Sequence, residues 1–344
     1  MRRRATEEAG ASGAYGYSGT ERGCASWRIS QRGDLCPATI SSMSWLAVRV
    51  PASSANLGPG FDALGLALCV YLDCRFRASE RLSITATGRD AAAISTAEDN
   101  LIWQTALSVA ADVRMPLPPI ELAIDNRIPI GKGLGSSAAA LTAGVVIADH
   151  LLGLGWRPPR ILDEAARLEG HPDNVAACVL GSIVASAIDS GGAVRAVRLE
   201  LPARFGMALV VPDFVLPTSQ ARAVLPSCYS RDDAVFNVQR AALLIAALAA
   251  GDTSAFPAAL EDRFHQPYRA PLVPGLADIL KLRAPGLLGC ALSGAGPSIL
   301  VFYERGYESV CDLVRQIFQL HGHAADILHT QIAERGYELR EELG

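Results

Sequence analysis

The sequence has no cysteine pair of the C-x-x-C type, although eight cysteines are spread through its 344 residues. The two that lie closest together, Cys69 and Cys74, have no histidine near them in the sequence to complete a zinc site. We identify no secretory signal that would bring the chain into an oxidising compartment. The cysteines therefore indicate buried free thiols in a reducing cytoplasm.

An excess of positive charge is also missing. The chain has 31 Lys and Arg against 35 Asp and Glu, and it is 50% hydrophobic and 19% charged. This balance gives no basic field that would indicate nucleic acid or a lipid surface as a partner. We find no apolar run long enough to span a bilayer, and we interpret the segments 241–250 and 175–188 as core. The composition predicts a globular cytoplasmic protein without nucleic-acid or membrane partners.

Residues 1–43 differ from the rest of the chain. They are rich in Arg, Gly and Ser, they show no apolar periodicity, and their basic start is not followed by an apolar stretch. We predict that this segment is a disordered N-terminal extension. Translation that starts at Met43 would also explain it.

The remaining length predicts two domains, which we place at 44–203 and 204–344. Strand and helix patterns alternate without a long parallel series, and this favours an α+β fold with an antiparallel sheet. The predicted strands are 45–52, 65–78, 118–130, 205–213 and the two halves of 290–304. The predicted helices are 96–113, one from the glycine turn to Gly153, 158–170, 234–252 and 307–322.

A glycine-rich turn lies between a predicted strand and a predicted helix, in the stretch PIGKGLGSSAA at 129–139. Glycines at 131, 133 and 135 allow positive φ angles and let backbone N–H groups approach an anion. The helix that begins after them offers unpaired N–H groups and a partial positive charge. The turn therefore predicts a phosphate-binding loop, with an ordinary capped turn as the alternative. It differs from a Walker loop, because Lys132 precedes the last two glycines.

This stretch resembles the ATP-binding motif of the GHMP kinases, which include galactokinase, homoserine kinase and mevalonate kinase. The stretches VRVPASSANLGPGFDALGLAL at 48–68 and LSGAGPSILVF at 292–302 resemble two further motifs of that family. The resemblance implies a ribosomal-protein-S5-like N-terminal domain, a ferredoxin-like C-terminal α/β sandwich, and the use of ATP with Mg²⁺. We interpret Lys132, at a variable position, as a solvated loop charge. The residues assigned to the ATP phosphates are Pro129, Ile130, Gly131, Lys132, Gly133, Leu134, Gly135, Ser136, Ser137, Ala138 and Ala139.

Within the family, the chain resembles the homoserine kinases in four stretches. These are PASSANLGPGFDALGLAL, EGHPDNVAACVLGS at 169–182, PTSQARAVLP at 217–226 and HQPYR at 265–269. The resemblance implies ATP-dependent phosphorylation of L-homoserine in threonine biosynthesis, by a homodimer. Two alternatives stay open: a GHMP kinase for another small alcohol, such as mevalonate or shikimate, and a non-catalytic nucleotide-binding regulator.

The resemblance also assigns residues to the amino-acid substrate. Arg222 and Arg269, with Thr218 nearby, are expected to bind the carboxylate, since a planar guanidinium binds a carboxylate through two parallel hydrogen bonds. Asp62 is expected to neutralise the ammonium group, with Asn56 beside it. Hydrogen bonds within a local turn are the alternative for the last two residues.

Three residues of the GHPDN stretch complete the predicted site, together with Gly294 of the C-terminal glycine motif. The resemblance places His171 and Asp173 at the amino acid, and Asn174 near the transferred phosphoryl group and the attacking hydroxyl. Pro172 is expected to keep this stretch extended. An N-cap role would explain Asn174 without catalysis, and a hydrogen-bonded core position would explain His171.

Mg²⁺ requires hard oxygen ligands, and the family pairs a serine of the motif with a glutamate on the next helix. We assign Ser137 and Glu164, with Ser136 and Asp163 as the alternatives. Neighbouring helix positions point about 100° apart, so only one carboxylate of the adjacent pair can face the metal. We find no paired aspartate base and lysine, and we expect in-line attack by a hydroxyl that Asn174 orients.

Overall fold

The computed structural model describes residues 44–200 and 205–341. The predicted extension 1–43 lies outside the described residues, as does the predicted domain boundary between 203 and 204. The described residues belong to one compact unit. The division into 44–203 and 204–344 stays a prediction.

Eleven strands occur in the described residues, and they include all six that the sequence predicts. Their bounds are β1 Leu46–Asn56, β2 Gly60–Ala78, β3 Ser83–Gly88, β4 Ile120–Asn126, β5 Ile183–Ile188, β6 Val194–Leu199, β7 Phe205–Pro212, β8 Leu287–Leu292, β9 Ile299–Glu304, β10 Ala325–Thr330 and β11 Glu338–Glu341.

Ten α-helices accompany them in the same part of the chain. Their bounds are α1 Leu101–Asp112, α2 Ser136–Leu152, α3 Pro158–Glu169, α4 Asp173–Leu180, α5 Thr218–Ala223, α6 Arg231–Ala250, α7 Phe256–Ala259, α8 Gln266–Arg269, α9 Leu276–Lys281 and α10 Val310–Leu320. The first helix begins where the Asn100 side chain accepts hydrogen bonds from two backbone N–H groups. The second ends at Gly153, in the left-handed conformation that the sequence predicts.

The strands form two sheets. The first has seven strands in the order β11-β1-β2-β4-β3, with β5 paired to β2 and β6 to β5. All pairs in it are antiparallel except β3 with β4. The second has the antiparallel order β10-β7-β9-β8. The predicted α+β class, with antiparallel sheets and helices, is confirmed, and the last strand returns to the edge of the first sheet beside β1.

Helix α2 lies in the interior of the fold. It contacts α1, α3, α4 and β1, and ten consecutive or near-consecutive small and branched residues along it are buried. Because it is held on several sides, its N-terminal end is fixed relative to the first sheet. That end begins directly after the glycine turn, so the packing of the core also positions the turn.

The interpretation of 241–250 as core is wrong for half of that segment. Leu244, Ala247 and Leu248 of α6 are buried, but five of the ten residues, Leu243 among them, are exposed. By length and composition alone, this helix of 20 residues could cross a membrane, a test that core helices of soluble proteins also pass. The segment 175–188 is confirmed as core: ten of its fourteen residues are buried, and only the last two, 187 and 188, are exposed.

Candidate active site

A cavity of about 140 Å³ lies where the glycine turn, the β1–β2 turn, α4, α5 and the β8–β9 turn meet. It brings together most of the predicted site residues. Those that line it are Asn56, Asp62, Gly131, Gly133, Leu134, Gly135, Ser136, Ser137, His171, Asp173, Asn174, Thr218, Arg222, Arg269 and Gly294. Those that do not line it are Pro129, Ile130, Lys132, Ala138, Ala139 and Glu164.

The glycine turn has the backbone conformation that its sequence predicts. Gly131, Gly133 and Gly135 have φ angles of 69°, 77° and 66°. A Cβ atom on Gly133 would lie 2.2 Å from the carbonyl oxygen of Ser293, whose hydroxyl donates to the Gly133 carbonyl over 2.7 Å. The turn therefore packs backbone against backbone on the β8–β9 turn, and this contact leaves no room for a side chain.

Lys132 is not a solvated charge, and that interpretation was wrong. Its Nζ donates to the carbonyl oxygens of Pro212 and Phe214 over 2.8 and 2.7 Å. Burial lowers the pKa of Lys132, although nearby carboxylates oppose the shift. The ammonium group ties the glycine turn to the end of β7, where the Leu216 N–H also donates to the Gly131 carbonyl over 3.3 Å. Its role in the structure is to anchor the turn.

The structure does not bring Glu164 to Ser137. The Glu164 carboxylate is 2% exposed and pairs with Arg160 and Arg167, each over 3.1 Å. Glu169 at the end of the same helix takes the expected place, since Ser137 Oγ donates to Glu169 Oε2 over 2.9 Å. Five helical positions correspond to a rotation of about 140°, so the two glutamates point to different sides of α3.

Asp163, the alternative to Glu164 as a metal ligand, also has a partner elsewhere. Asp163 accepts a hydrogen bond from the Val194 N–H over 2.8 Å, at the start of β6. Burial raises the pKa of Glu169, and the hydrogen bond from Ser137 partly offsets that shift. A desolvated carboxylate beside a hydroxyl offers two hard oxygen ligands to a cation.

Asp62 and Arg222 form an ion pair inside the cavity. Two parallel hydrogen bonds of 2.7 and 3.1 Å join the guanidinium to the carboxylate. Burial acts to lower the pKa of Arg222, but the hydrogen bond and charge of Asp62 outweigh it and raise the pKa. The expected carboxylate binder and the expected ammonium binder therefore neutralise each other in this state.

Arg269 has a different environment. It is 1% exposed, and it donates to the carbonyl oxygens of Ala221 and Gly294 over 3.1 and 3.0 Å. A third hydrogen bond of 3.0 Å joins its Nη1 to His265 Nδ1. Among residues 44–200 and 205–341, no carboxylate forms an ion pair with it. Burial, and then the charge of Arg222, lower the pKa of Arg269 to about 10, so a bound anion would stabilise its charged form.

Asn56 has both ends of its amide engaged. Its Oδ1 accepts from the Asp62 N–H over 3.0 Å, and its Nδ2 donates to the Gly294 carbonyl over 2.9 Å. Asn56 and Asp62 have positive φ angles of 71° and 53°. Local turn hydrogen bonds, the alternative for Asn56, are therefore present, and they join the β1–β2 turn to the β8–β9 turn.

The GHPDN stretch places three side chains at the start of α4. His171 Nδ1 lies 2.6 Å from Asp173 Oδ1, which also accepts from the Asn174 N–H over 2.8 Å. Burial acts to lower the pKa of His171, but Asp173 outweighs it and raises the pKa. Pro172 is helical rather than extended, with φ −89° and ψ −21°, and Asn174 lies inside the helix rather than at its cap.

Sequence reasoning missed several residues of the site and one neighbouring cavity. Ser53 Oγ donates to Asn174 Oδ1 over 2.9 Å, and Phe61 lies below both arginines. A second, mostly apolar cavity of about 350 Å³ shares Ser136 and Ser137 with the first. Its apolar lining includes Leu72, Ala93, Ile94, Leu101, Ile102, Ile124, Ile130 and Ala140. These residues come from separate elements, so no local motif marks them.

Comparison with known proteins gives consistent matches. The model of the GHMP kinase N-terminal domain matches residues 100–182, and that of the GHMP kinase C-terminal domain matches 244–310. A homoserine kinase from Solibacter usitatus is 77% identical over 299 residues, which cover 87% of this chain and 98% of the relative. One from Deinococcus radiodurans is 47% identical, over 75% and 84% of the two chains. The crystal structure of homoserine kinase from Cytophaga hutchinsonii superposes with TM-score 0.75 at 28% identity, over 87% of this chain and 98% of that one.

Proposed function

Because the chain belongs to the homoserine kinases of the GHMP kinase family, we propose that it transfers the γ-phosphoryl group of ATP to the hydroxyl of L-homoserine. The product is O-phospho-L-homoserine, an intermediate of threonine biosynthesis. One observation carries this proposal: a single cavity joins a glycine turn at a helix N-terminus to buried groups of both charge signs. A phosphate donor requires the first, and a zwitterionic amino acid requires the second.

We infer that the substrate binds by exchange with the Asp62–Arg222 ion pair. The ammonium group of homoserine replaces Arg222 at Asp62, with Asp173 nearby, and its carboxylate replaces Asp62 at Arg222. Arg269 binds the second carboxylate oxygen. A zwitterion supplies both missing partners at once, whereas a ligand with one charge leaves a partly buried ion unpaired. Mevalonate and shikimate have a carboxylate but no ammonium group, so this exchange disfavours them.

The nucleotide occupies both cavities in this proposal. The ATP phosphates lie at the N-terminus of α2, where the N–H groups of Ser136 and Ser137 are free of helical partners. The adenine base fills the apolar cavity beside them, whose volume of about 350 Å³ and lining are typical of a site for a planar heterocycle. The γ-phosphate then points into the smaller cavity that holds the substrate.

The residues around the α2 N-terminus fit a magnesium ion. Ser137 Oγ and the Glu169 carboxylate are hard oxygen ligands 2.9 Å apart, and Mg²⁺ prefers such oxygens with several waters. We propose Ser137 and Glu169 as its protein ligands. When bound, the ion neutralises charge on the phosphate oxygens.

Asn174 orients the attacking hydroxyl in this proposal. Its Oδ1 is held by Ser53, which leaves its Nδ2 group as the donor for a ligand in the cavity. No lysine is among the described residues that line this cavity. The acceleration therefore comes from positioning the hydroxyl in line with the phosphoryl group and from charge neutralisation, which supply most of the effect in phosphoryl transfer.

We expect the full chain to release ADP from ATP and Mg²⁺ with L-homoserine, and not with L-threonine, L-serine, mevalonate or shikimate. A coupled ADP-release assay over this panel tests the proposal. Turnover on mevalonate or shikimate would contradict the ion-pair exchange, and ATP binding without turnover would favour a regulator. Light scattering on the same preparation tests the predicted homodimer.

We expect Glu169→Gln to raise the Mg²⁺ concentration for half-maximal rate at least about tenfold, a loss of about 1.4 kcal/mol. In the parent enzyme this concentration should rise as the pH falls, because a proton competes with the metal for Glu169. Its raised pKa places the effect at a higher pH than for an ordinary carboxylate. The variant should lose this pH dependence.

Glu164→Gln provides the matched control. It removes the charge that pairs with Arg160 and Arg167, so we expect a lower melting temperature and an unchanged Mg²⁺ requirement. The opposite outcome, with Glu164→Gln altering the Mg²⁺ requirement and Glu169→Gln not altering it, would return the metal site to Glu164.

A further inference from the structure

We propose that His265 is a positioning residue for substrate selection, which aims Arg269 at the substrate carboxylate while leaving the charge of Arg269 uncompensated. This inference rests on the proposed function and adds a residue to it. It depends on three observations: the complete burial of His265, the hydrogen bonds of its two ring nitrogens, and the uncharged character of the partners that Arg269 has among the described residues.

The surroundings of His265 fix which ring nitrogen has the hydrogen atom. The side chain is 0% exposed, and its ring stacks on Phe61 with 5.4 Å between centroids. Nε2 lies 2.8 Å from the Gly58 carbonyl oxygen, which can only accept, so Nε2 has the hydrogen. Nδ1 is then an acceptor, and it faces Arg269 Nη1 at 3.0 Å. A proton on Nδ1 as well would remove this acceptor and place a second positive charge against the guanidinium group.

The charged groups around the imidazole do not disturb this arrangement. Asp262 lies on the Nε2 side at 3.6 Å, where its Oδ2 accepts from the backbone N–H groups of His265 and Gln266. Burial lowers the pKa of His265, with the charge of Asp262 opposing it and that of Arg269 acting in the same direction. The ring is therefore neutral at neutral pH.

His265 is a neutral hydrogen-bond acceptor for Arg269, and a neutral acceptor orients the guanidinium group without neutralising its charge. The carboxylate of Asp62 compensates the charge of Arg222, so that charge is released only by exchange. Within the part of the chain that the structure describes, Arg269 donates only to uncharged acceptors, two carbonyl groups and His265. Its orientation is therefore fixed without an ion pair, and its charge remains available for the substrate. Phe61 adds a surface for both guanidinium groups, whose central carbons lie 5.7 and 5.6 Å from its ring centroid.

Two variants separate the two hydrogen bonds of His265. His265→Gln extends an amide to the position of Nε2, where it still donates to Gly58, but it places no acceptor at the position of Nδ1. His265→Asn places an amide oxygen at the position of Nδ1, where it accepts from Arg269, but it does not reach Gly58. We expect His265→Gln to raise the KM for L-homoserine about 10- to 100-fold and His265→Asn to raise it less than about threefold.

The probe for the mechanism is 3-aminopropan-1-ol, which is homoserine without its carboxylate. If His265 acts through Arg269, His265→Gln should change the inhibition constant of this amine, measured against homoserine, less than about threefold. The KM for ATP should also stay within about twofold in both variants. If His265 had only a structural role, the variants would bind homoserine and the amine equally more weakly, and the melting temperature of both variants would fall alike.

His150→Gln is the matched control, because it makes the same substitution at a histidine far from the site. His150 is exposed at the far end of α2, about 20 Å from the glycine turn, so it should leave both constants unchanged. The inference would be overturned if His265→Gln lost affinity for homoserine and for the amine to the same extent, or if its KM for homoserine were unchanged. Failure of the parent enzyme to phosphorylate homoserine would instead reject the proposed function, so the two failures are distinct.

Discussion

Replacement of Arg222 by alanine is expected to raise the KM for L-homoserine at least about 100-fold, which corresponds to about 3 kcal/mol. The substrate carboxylate loses one of two cationic partners. In addition, Asp62 loses its resting partner, and its uncompensated negative charge faces the incoming carboxylate. Steady-state kinetics with saturating ATP measures this effect, and the KM for ATP should change far less.

Asp62→Asn is the matched variant, because it removes the other half of the same ion pair. It should weaken the binding of L-homoserine, because the ammonium group of this substrate loses its partner. It should strengthen the binding of 4-hydroxybutyrate, which has no ammonium group, by about tenfold. The opposite response of the two ligands follows from the ion-pair exchange. In the variant, Arg222 has no ion pair with residue 62 that must break before it binds the ligand carboxylate. An unchanged homoserine KM in Arg222→Ala would remove this residue from the site. Equal weakening of both ligands in Asp62→Asn would contradict the exchange.

Replacement of Gly133 by alanine is expected to lower kcat/KM for ATP at least about 100-fold, as a displacement of about 1 Å at a positioning loop does. The added Cβ would lie 2.2 Å from the Ser293 carbonyl oxygen and 2.7 Å from that of Gly296. Both are backbone atoms of the β8–β9 turn, so the glycine turn itself has to move. Its N–H groups would then no longer converge on the phosphates.

Gly153→Ala separates this clash from backbone strain. Gly153 has a φ angle of +62°, similar to that of Gly133, but a Cβ there would meet nothing within 4 Å. It should lose about 1 kcal/mol of stability from the left-handed conformation and retain its ATP kinetics. Melting temperatures measured alongside the kinetics identify any unfolding of Gly133→Ala. Equal kcat/KM values in the two variants would show that the contact with Ser293 does not position the loop.

Local features of the fold were predicted where one segment contains the complete signal. The helix end at Gly153 and the phosphate-type turn both depend on glycines within a few residues of each other. The predicted strands that became β1, β2, β4 and β7 are buried, and their apolar pattern is strong. Strands β3, β5, β6, β10 and β11 were not predicted, because they have only four to six residues and, except for β5, are largely exposed or half-exposed. Their partners in the sheets define them as strands.

The sequence by itself determined which residue types the site contains, because its motifs are contiguous: glycines for the anion, arginines for a carboxylate, and acidic groups for an ammonium group and a metal. Only the tertiary structure decided their pairing. It brought Glu169 rather than Glu164 to Ser137, closed Arg222 on Asp62 across 160 positions, and placed His265 against Arg269. The physical reason is that the rotation of a helix within the core, and the meeting of turns from distant strands, depend on packing between elements that no single segment encodes.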